Sequence, residues 1–196
     1  SVTAIPKYLF YKCSTLSDVD IQGQLVKIPA YSFNGCNISA FTLPNSVEDI
    51  GEYAFCASGV SSITIPNSVT KIGRNCFANN TKLEKITIGC RELPEGVFSE
   101  CSALTSVVLN DGLEKISNYA FANCQSLESI SIPGTVIQIG ETYYDDKYAE
   151  YRLPFYNCTA LKSVRFEDGE QGLVLGAGFN NNGLGLFSYC PLEEVY

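Results

Sequence analysis

Phenylalanine recurs along this chain at a nearly fixed interval. It stands at positions 10, 33, 55, 77, 98, 121, 155 and 187, with spacings of 23, 22, 22, 21, 23, 34 and 32 residues. A sustained period of this length marks a stack of equivalent units. One such unit is too short to bury its own apolar face, so neighbouring units must bury each other's. The feature therefore constrains the chain to a solenoid before any other residue is read.

The remaining slots keep the same register. Three residues after each Phe come Cys13, Cys36, Ser58, Asn80, Cys101, Cys124, Cys158 and Cys190. An aliphatic follows, as in Leu16, Ile38, Val60 and Leu83. Then comes an alternating apolar pair, such as Ile63/Ile65, Ile86/Ile88 and Ile130/Ile132. Alternation over so short a span predicts a half-buried strand. Pro44-Asn45, Pro66-Asn67 and Pro133-Gly134 supply corners, because Pro cannot donate to a strand ladder. The unit closes with apolar residues three apart, as in Val47/Ile50, Val69/Ile72, Leu113/Ile116 and Val136/Ile139. The following G-x-x-A-F-x-x-C stretch has the spacing of one or two helical turns. At about 4.8 Å per strand, eight units predict a body roughly 35 Å long.

This pattern resembles the BspA-type leucine-rich repeat, with its consensus L-x-x-I-x-I-P…V-x-x-I-G-x-x-A-F-x-x-C. Val60–Phe77 and Leu113–Pro133 carry the resemblance most clearly. It implies an α/β fold: a leucine-rich repeat right-handed solenoid of about eight repeats of 22–23 residues. A parallel β-sheet is expected on one face, with short helices or turns on the other. Residues 1–196 read as one repeat domain, cut within a repeat at both ends, with insertions at 141–153 and 177–185. The chain starts at Ser1 and shows no polar cap, so a longer native protein is expected. The resemblance also implies surface display or secretion, and a role in adhesion.

Composition narrows the chemistry. The chain has no His, which excludes a Ser-His-Asp triad, a Cys-His dyad and a His-ligated metal. Its net charge of −8 argues against nucleic acid as a partner. The apolar runs are too short for direct membrane insertion. Nine Cys with no C-x-x-C pair make a poor zinc site. Six of them fill the slot after Phe, Cys76 precedes a Phe, and Cys90 aligns with Val47 and Val69. These eight are expected to be core residues forming a free-thiol ladder, since buried Cys behaves as a small hydrophobe. Cys56 alone lacks an apolar slot. No catalytic residue, cofactor or metal site is expected.

Two surfaces remain as binding candidates. The outward strand column reads Asp20, Thr42, Thr64, Thr87, Val108, Ser131, Arg165 and Tyr196. Its middle carries no aromatic or Arg anchor, and Thr is an ordinary strand residue, so a solvated sheet is the simpler expectation. The insertions are more distinctive. The step from the closing aliphatic to Phe takes five residues in repeat three (Ile50 to Phe55). It takes sixteen in repeat seven (Ile139 to Phe155) and twelve in repeat eight (Leu175 to Phe187). Both insertions fall in one slot of neighbouring repeats, so they should emerge side by side. The first holds Tyr143, Tyr144, Asp145, Asp146, Tyr148 and Tyr151; the second holds Phe179, Asn180, Asn181 and Asn182. Tyr and Asn are residues that binding loops favour. The expected partner is a protein or glycan. A non-catalytic recognition module, a carbohydrate-binding or carbohydrate-cleaving solenoid and a structural spacer all follow from these features.

Overall fold

The computed structural model describes residues 4–21, 24–39, 41–141, 153–170, 172–176 and 185–196. Each repeat contributes short segments to parallel ladders that run along the stack. The I-x-I segments form two three-stranded parallel sheets, one after the other along the stack. Strands β3 (Ser62–Ile65), β5 (Lys85–Ile88) and β7 (Ser106–Leu109) pair in parallel, with Ile63 opposite Ile86 and Ile86 opposite Val107. Strands β9 (Ser129–Ile132), β11 (Ser163–Phe166) and β13 (Glu194–Val195) continue the pattern. Ile63, Ile65, Ile86 and Ile88 are buried, while Ser62 and Thr64 between them are exposed.

The closing apolar segment is itself a strand. Its Ile or Leu lies in two further parallel sheets, the first made by β1 (Lys27–Ile28), β2 (Asp49–Ile50) and β4 (Lys71–Ile72). Strands β6 (Glu92–Leu93), β8 (Lys115–Ile116), β10 (Gln138–Ile139) and β12 (Val174–Leu175) form the second. Two residues per strand are too few to show alternation, which is why the sequence pattern reveals only the flanking apolar spacing.

The third side differs from a helical expectation. Among the described residues the A-F-x-x-C stretch is turn, with no helix. The cause is backbone handedness. The residues two before and two after the Phe take positive φ: Tyr53 at 54° and Ala57 at 51°, Asn75 at 52° and Asn79 at 60°. Two left-handed residues within five break any right-handed helix. The left-handed region costs a non-glycine residue about 1–2 kcal/mol. Hydrogen bonds to the next repeat offset it. Tyr53 N–H donates to the Arg74 carbonyl at 3.1 Å, Phe55 N–H to Cys76 at 2.8 Å and Ala57 N–H to Ala78 at 2.8 Å. Each such bond contributes about 1 kcal/mol.

The core is a continuous column of aromatic rings. All eight periodic Phe side chains stack in sequence, with centroids 5.0 to 5.7 Å apart. The insertion in repeat seven does not interrupt it, since Phe121 and Phe155 lie 5.3 Å apart. Phe33 through Phe155 are fully buried.

Candidate functional site

The described residues fix where the two insertions leave the solenoid. Strands β10 and β12 are neighbours in register, with Ile139 opposite Leu175. Gly140 and Gly176 follow these strands and touch. A Cβ on Gly176 would lie 2.5 Å from the Glu141 carbonyl oxygen, so only Gly fits there. The chain returns beside its exits. Leu153 and Leu186 are buried, and a Cβ on Gly140 would meet Leu186 at 3.2 Å and Pro154 at 3.6 Å. Glu141 is anchored: its carboxylate meets Lys115 Nζ at 3.0 Å and its N–H donates to Asn118 Oδ1 at 3.2 Å. The predicted contact residues Tyr143, Tyr144, Asp145, Asp146, Tyr148, Tyr151, Phe179, Asn180, Asn181 and Asn182 lie outside the described residues. Beside these roots β12 presents Val174 and Leu175 half-exposed, where Ile139, opposite Leu175, is buried.

The outward strand column is assembled as its spacing predicts. Thr64, Thr87 and Val108 stand side by side, as do Ser62, Lys85 and Ser106. Ser62, Thr64, Lys85 and Thr87 line a shallow depression of about 320 Å³ together with Thr42 and Asn45. Its exposed side chains are Thr42, Asn45, Ser62, Thr64 and Lys85, so it offers no deep pocket for an anchoring side chain.

A second depression has no counterpart in the sequence pattern. Asp111, Glu114, Glu167, Asp168 and Glu170 come from corners of separate repeats and surround about 590 Å³. Stacking brings them together: a Cβ on Gly134 would lie 1.9 Å from the Asp168 carbonyl oxygen. Glu114 pairs with Arg91, and Glu167 accepts a hydrogen bond from Ser131 Oγ at 2.7 Å. Among the described residues no three His, Cys, Asp or Glu side chains are placed to hold a metal ion.

The family model for the BspA type leucine rich repeat region (6 copies) matches residues 3–92 and 26–150. The chain belongs to the BspA-type leucine-rich repeat family. No curated protein matches it in sequence. A leucine-rich repeat protein from Bacteroides ovatus is 25% identical with a TM-score of 0.69; the match covers 99% of this chain and 58% of that one. The T. pallidum leucine rich repeat protein is 29% identical with a TM-score of 0.65, over 86% of this chain and 72% of its own. A leucine rich cell surface protein from Faecalibacterium prausnitzii is 25% identical with a TM-score of 0.59, over 75% and 49%. This chain thus spans little more than half of the Bacteroides ovatus protein.

The BspA-type cysteine slot has a definite task in this structure. All nine Cys are free thiols. In the slot three after Phe, each buried thiol donates to the Phe carbonyl of the preceding repeat. Cys36 reaches Phe10 at 3.1 Å, Cys101 reaches Phe77 at 3.3 Å, Cys124 reaches Phe98 at 3.3 Å and Cys158 reaches Phe121 at 3.1 Å. Asn80 substitutes without loss, its amide donating to both Phe55 and Phe77 carbonyls at 2.8 Å. Ser58 instead donates to Asn80 Oδ1 at 3.2 Å. The slot therefore selects a small donor, not simply an apolar side chain.

Three thiols depart from the sequence expectation. Cys56 is buried at 8% exposure, because the turn of the next repeat stacks over it. Cys13 is exposed and Cys190 is only half-buried, since terminal rungs are covered on one side. Burial pushes Cys56 up, Cys90 up to about 11 and Cys101 up to about 12. These thiols stay protonated and unreactive near neutral pH. Cys158 and Cys190 interact. The interaction between the two thiols, with burial, raises Cys158, and the same interaction lowers Cys190.

Proposed function

We propose that the chain is a non-catalytic, protein-binding adhesion segment of a larger surface-displayed protein, with its ligand held by the two insertions. One observation carries this reading. Insertions from consecutive repeats are rooted on paired strands, at Gly140 and Gly176, on a scaffold whose Phe column continues beneath them. Loops fixed at adjoining roots on a rigid frame lose less entropy on binding than loops on a soft one. Their Tyr, Asn and Asp content suits a wet, adaptable interface. Surface display is supported by family membership and by the cell surface protein of Faecalibacterium prausnitzii among the similar structures. The protonated interior thiols give the repeat core no activated nucleophile.

The test uses immobilised extracellular-matrix proteins and a glycan array. The unmodified chain should bind at least one matrix protein. The variant Tyr143→Ala/Tyr144→Ala/Tyr148→Ala/Tyr151→Ala should lose most of that binding while melting at the same temperature. Unchanged binding by the variant would reject the insertions as the site.

A further inference from the structure

The slot two residues before the Phe holds Tyr8, Tyr31 and Tyr53 in the first three repeats. Their rings form a second aromatic row, outside the Phe column. Tyr8 and Tyr31 stack with centroids 5.0 Å apart and planes 16° from parallel; Tyr31 and Tyr53 stack at 5.0 Å and 10°. Tyr11 stands edge-on to Tyr8 at 5.6 Å and to Tyr31 at 6.2 Å. The Asn75 amide donates to the Tyr53 hydroxyl at 3.0 Å and continues the row into repeat four. Tyr8 and Tyr11 belong to the terminal rung, but Tyr31 and Tyr53, which have rungs on both sides, also remain partly exposed.

The charge around this row is unusual for an acidic chain. In the turns of the first three repeats the charged residues are Lys7, Lys12 and Glu52. Glu52 is engaged by Arg74 at 3.2 Å. Among the described residues neither Lys7 nor Lys12 has a carboxylate within ion-pair distance, and Lys12 Nζ sits 5.3 Å from the Tyr11 ring centre. Stacked rings show solvent their edges and hydroxyls, and an aromatic edge is the positive part of its quadrupole. Burial and the Glu52 carboxylate raise Tyr31, so its hydroxyl remains a donor.

We propose that this row binds an anionic linear polysaccharide, carboxylated or sulfated, laid along the tyrosines. Three features fit such a ligand. The two lysines and the ring edges attract carboxylate or sulfate groups. The phenol hydroxyls and Asn75 match the hydroxyl-rich edges of sugar rings. The rungs repeat every 5.0 Å, close to the advance of one sugar unit in an extended chain. An acidic peptide fits less well, because same-side groups of an extended peptide recur about every 6.6 Å. The site lies on repeats one to three and is separate from the insertions of repeats seven and eight.

Isothermal titration at low salt tests this, with four probes: an oligogalacturonate, a heparin-derived oligosaccharide, neutral cellohexaose and poly-L-glutamate. At least one of the two anionic oligosaccharides should bind, and the stronger one tells carboxylate from sulfate. Cellohexaose should bind at least about tenfold more weakly, and Tyr8→Ala/Tyr11→Ala should weaken the anionic probe by about tenfold. Lys7→Gln/Lys12→Gln leaves every ring in place, so it separates lost charge from lost folding. It should weaken binding and flatten its salt dependence. The quadruple Tyr variant of the first insertion should bind the sugar normally, so this proposal and the insertion reading fail independently. Equal or tighter binding of poly-L-glutamate would overturn the proposal. So would unchanged binding by the Lys variant, or silence with both anionic sugars.

Discussion

Repeats two to six and repeats seven and eight obey the same core rules but differ at one edge. In the regular repeats, successive Phe residues lie 21 to 23 positions apart; across repeats seven and eight they lie 34 and 32 apart. The ring separations do not register the difference, at 5.3 Å for Phe55–Phe77 and 5.3 Å for Phe121–Phe155. The thiol bond persists too, at 3.3 Å for Cys124 and 3.1 Å for Cys158. Strand register also carries through, with Ile130 opposite Val164. The comparison teaches that rung geometry is set by slot residues, while chain between slots can lengthen without moving them. Loop closure explains the tolerance, because its entropy grows only slowly with length.

The largest effects are expected in the core. Phe77→Ala and Phe155→Ala should each destabilise by about 4 kcal/mol, since both rings are fully buried in the column. Equal losses by urea denaturation would support one continuous core; a much smaller loss at Phe155 would mean that the inserted repeat packs loosely. Phe187, only partly buried, should lose clearly less than either.

Alkaline pH probes the thiol ladder. Burial places the folded Cys90 and Cys101 at about 11 and about 12, and raises Cys76 and Cys124 as well, against an ordinary value of 9.0. The folded state then holds protons that the unfolded chain releases, so this stability is complete below pH 9 and falls above it. Each thiol contributes a loss of about 1.4 kcal/mol per pH unit until its folded pKa is reached. Melting followed from pH 8 to 11 should show a steep fall, and Cys101→Ala should make it shallower. A pH-independent melting temperature would refute the ladder's role.

Smaller effects sharpen the edge. Ala57→Gly should stabilise by about 0.5 kcal/mol, because Ala57 is exposed at φ 51° and Gly relieves most of that strain. Deleting residues 142–152 restores the five-step spacing of a regular repeat. It should change stability by no more than about 0.5 kcal/mol. A large loss would show the first insertion to be structural.

Much of this architecture is legible in the sequence. The period, the Phe column, the I-x-I strands and the core placement of Cys36, Cys76, Cys90, Cys101, Cys124 and Cys158 follow from slot identity alone. The adjacency of the insertion roots also follows, because equal slots in neighbouring repeats must be neighbours in space. Burial of Cys56 is less visible, since its slot elsewhere holds Tyr11, Asn34 and Ser99. The Tyr8, Tyr31 and Tyr53 row had a usable signal in its spacings of 23 and 22 residues.

The sequence by itself determined the repeat and what each slot buries, because a periodic side-chain identity reports a periodic environment. Only the tertiary structure decided the left-handed turns, the two-residue closing strands and the meeting of Asp111, Glu167 and Asp168 around one depression. The reason is the same in each case. Residues one or two repeats apart in the sequence come together only after stacking. Those contacts then override the local preference that would have made Tyr53 and Ala57 right-handed.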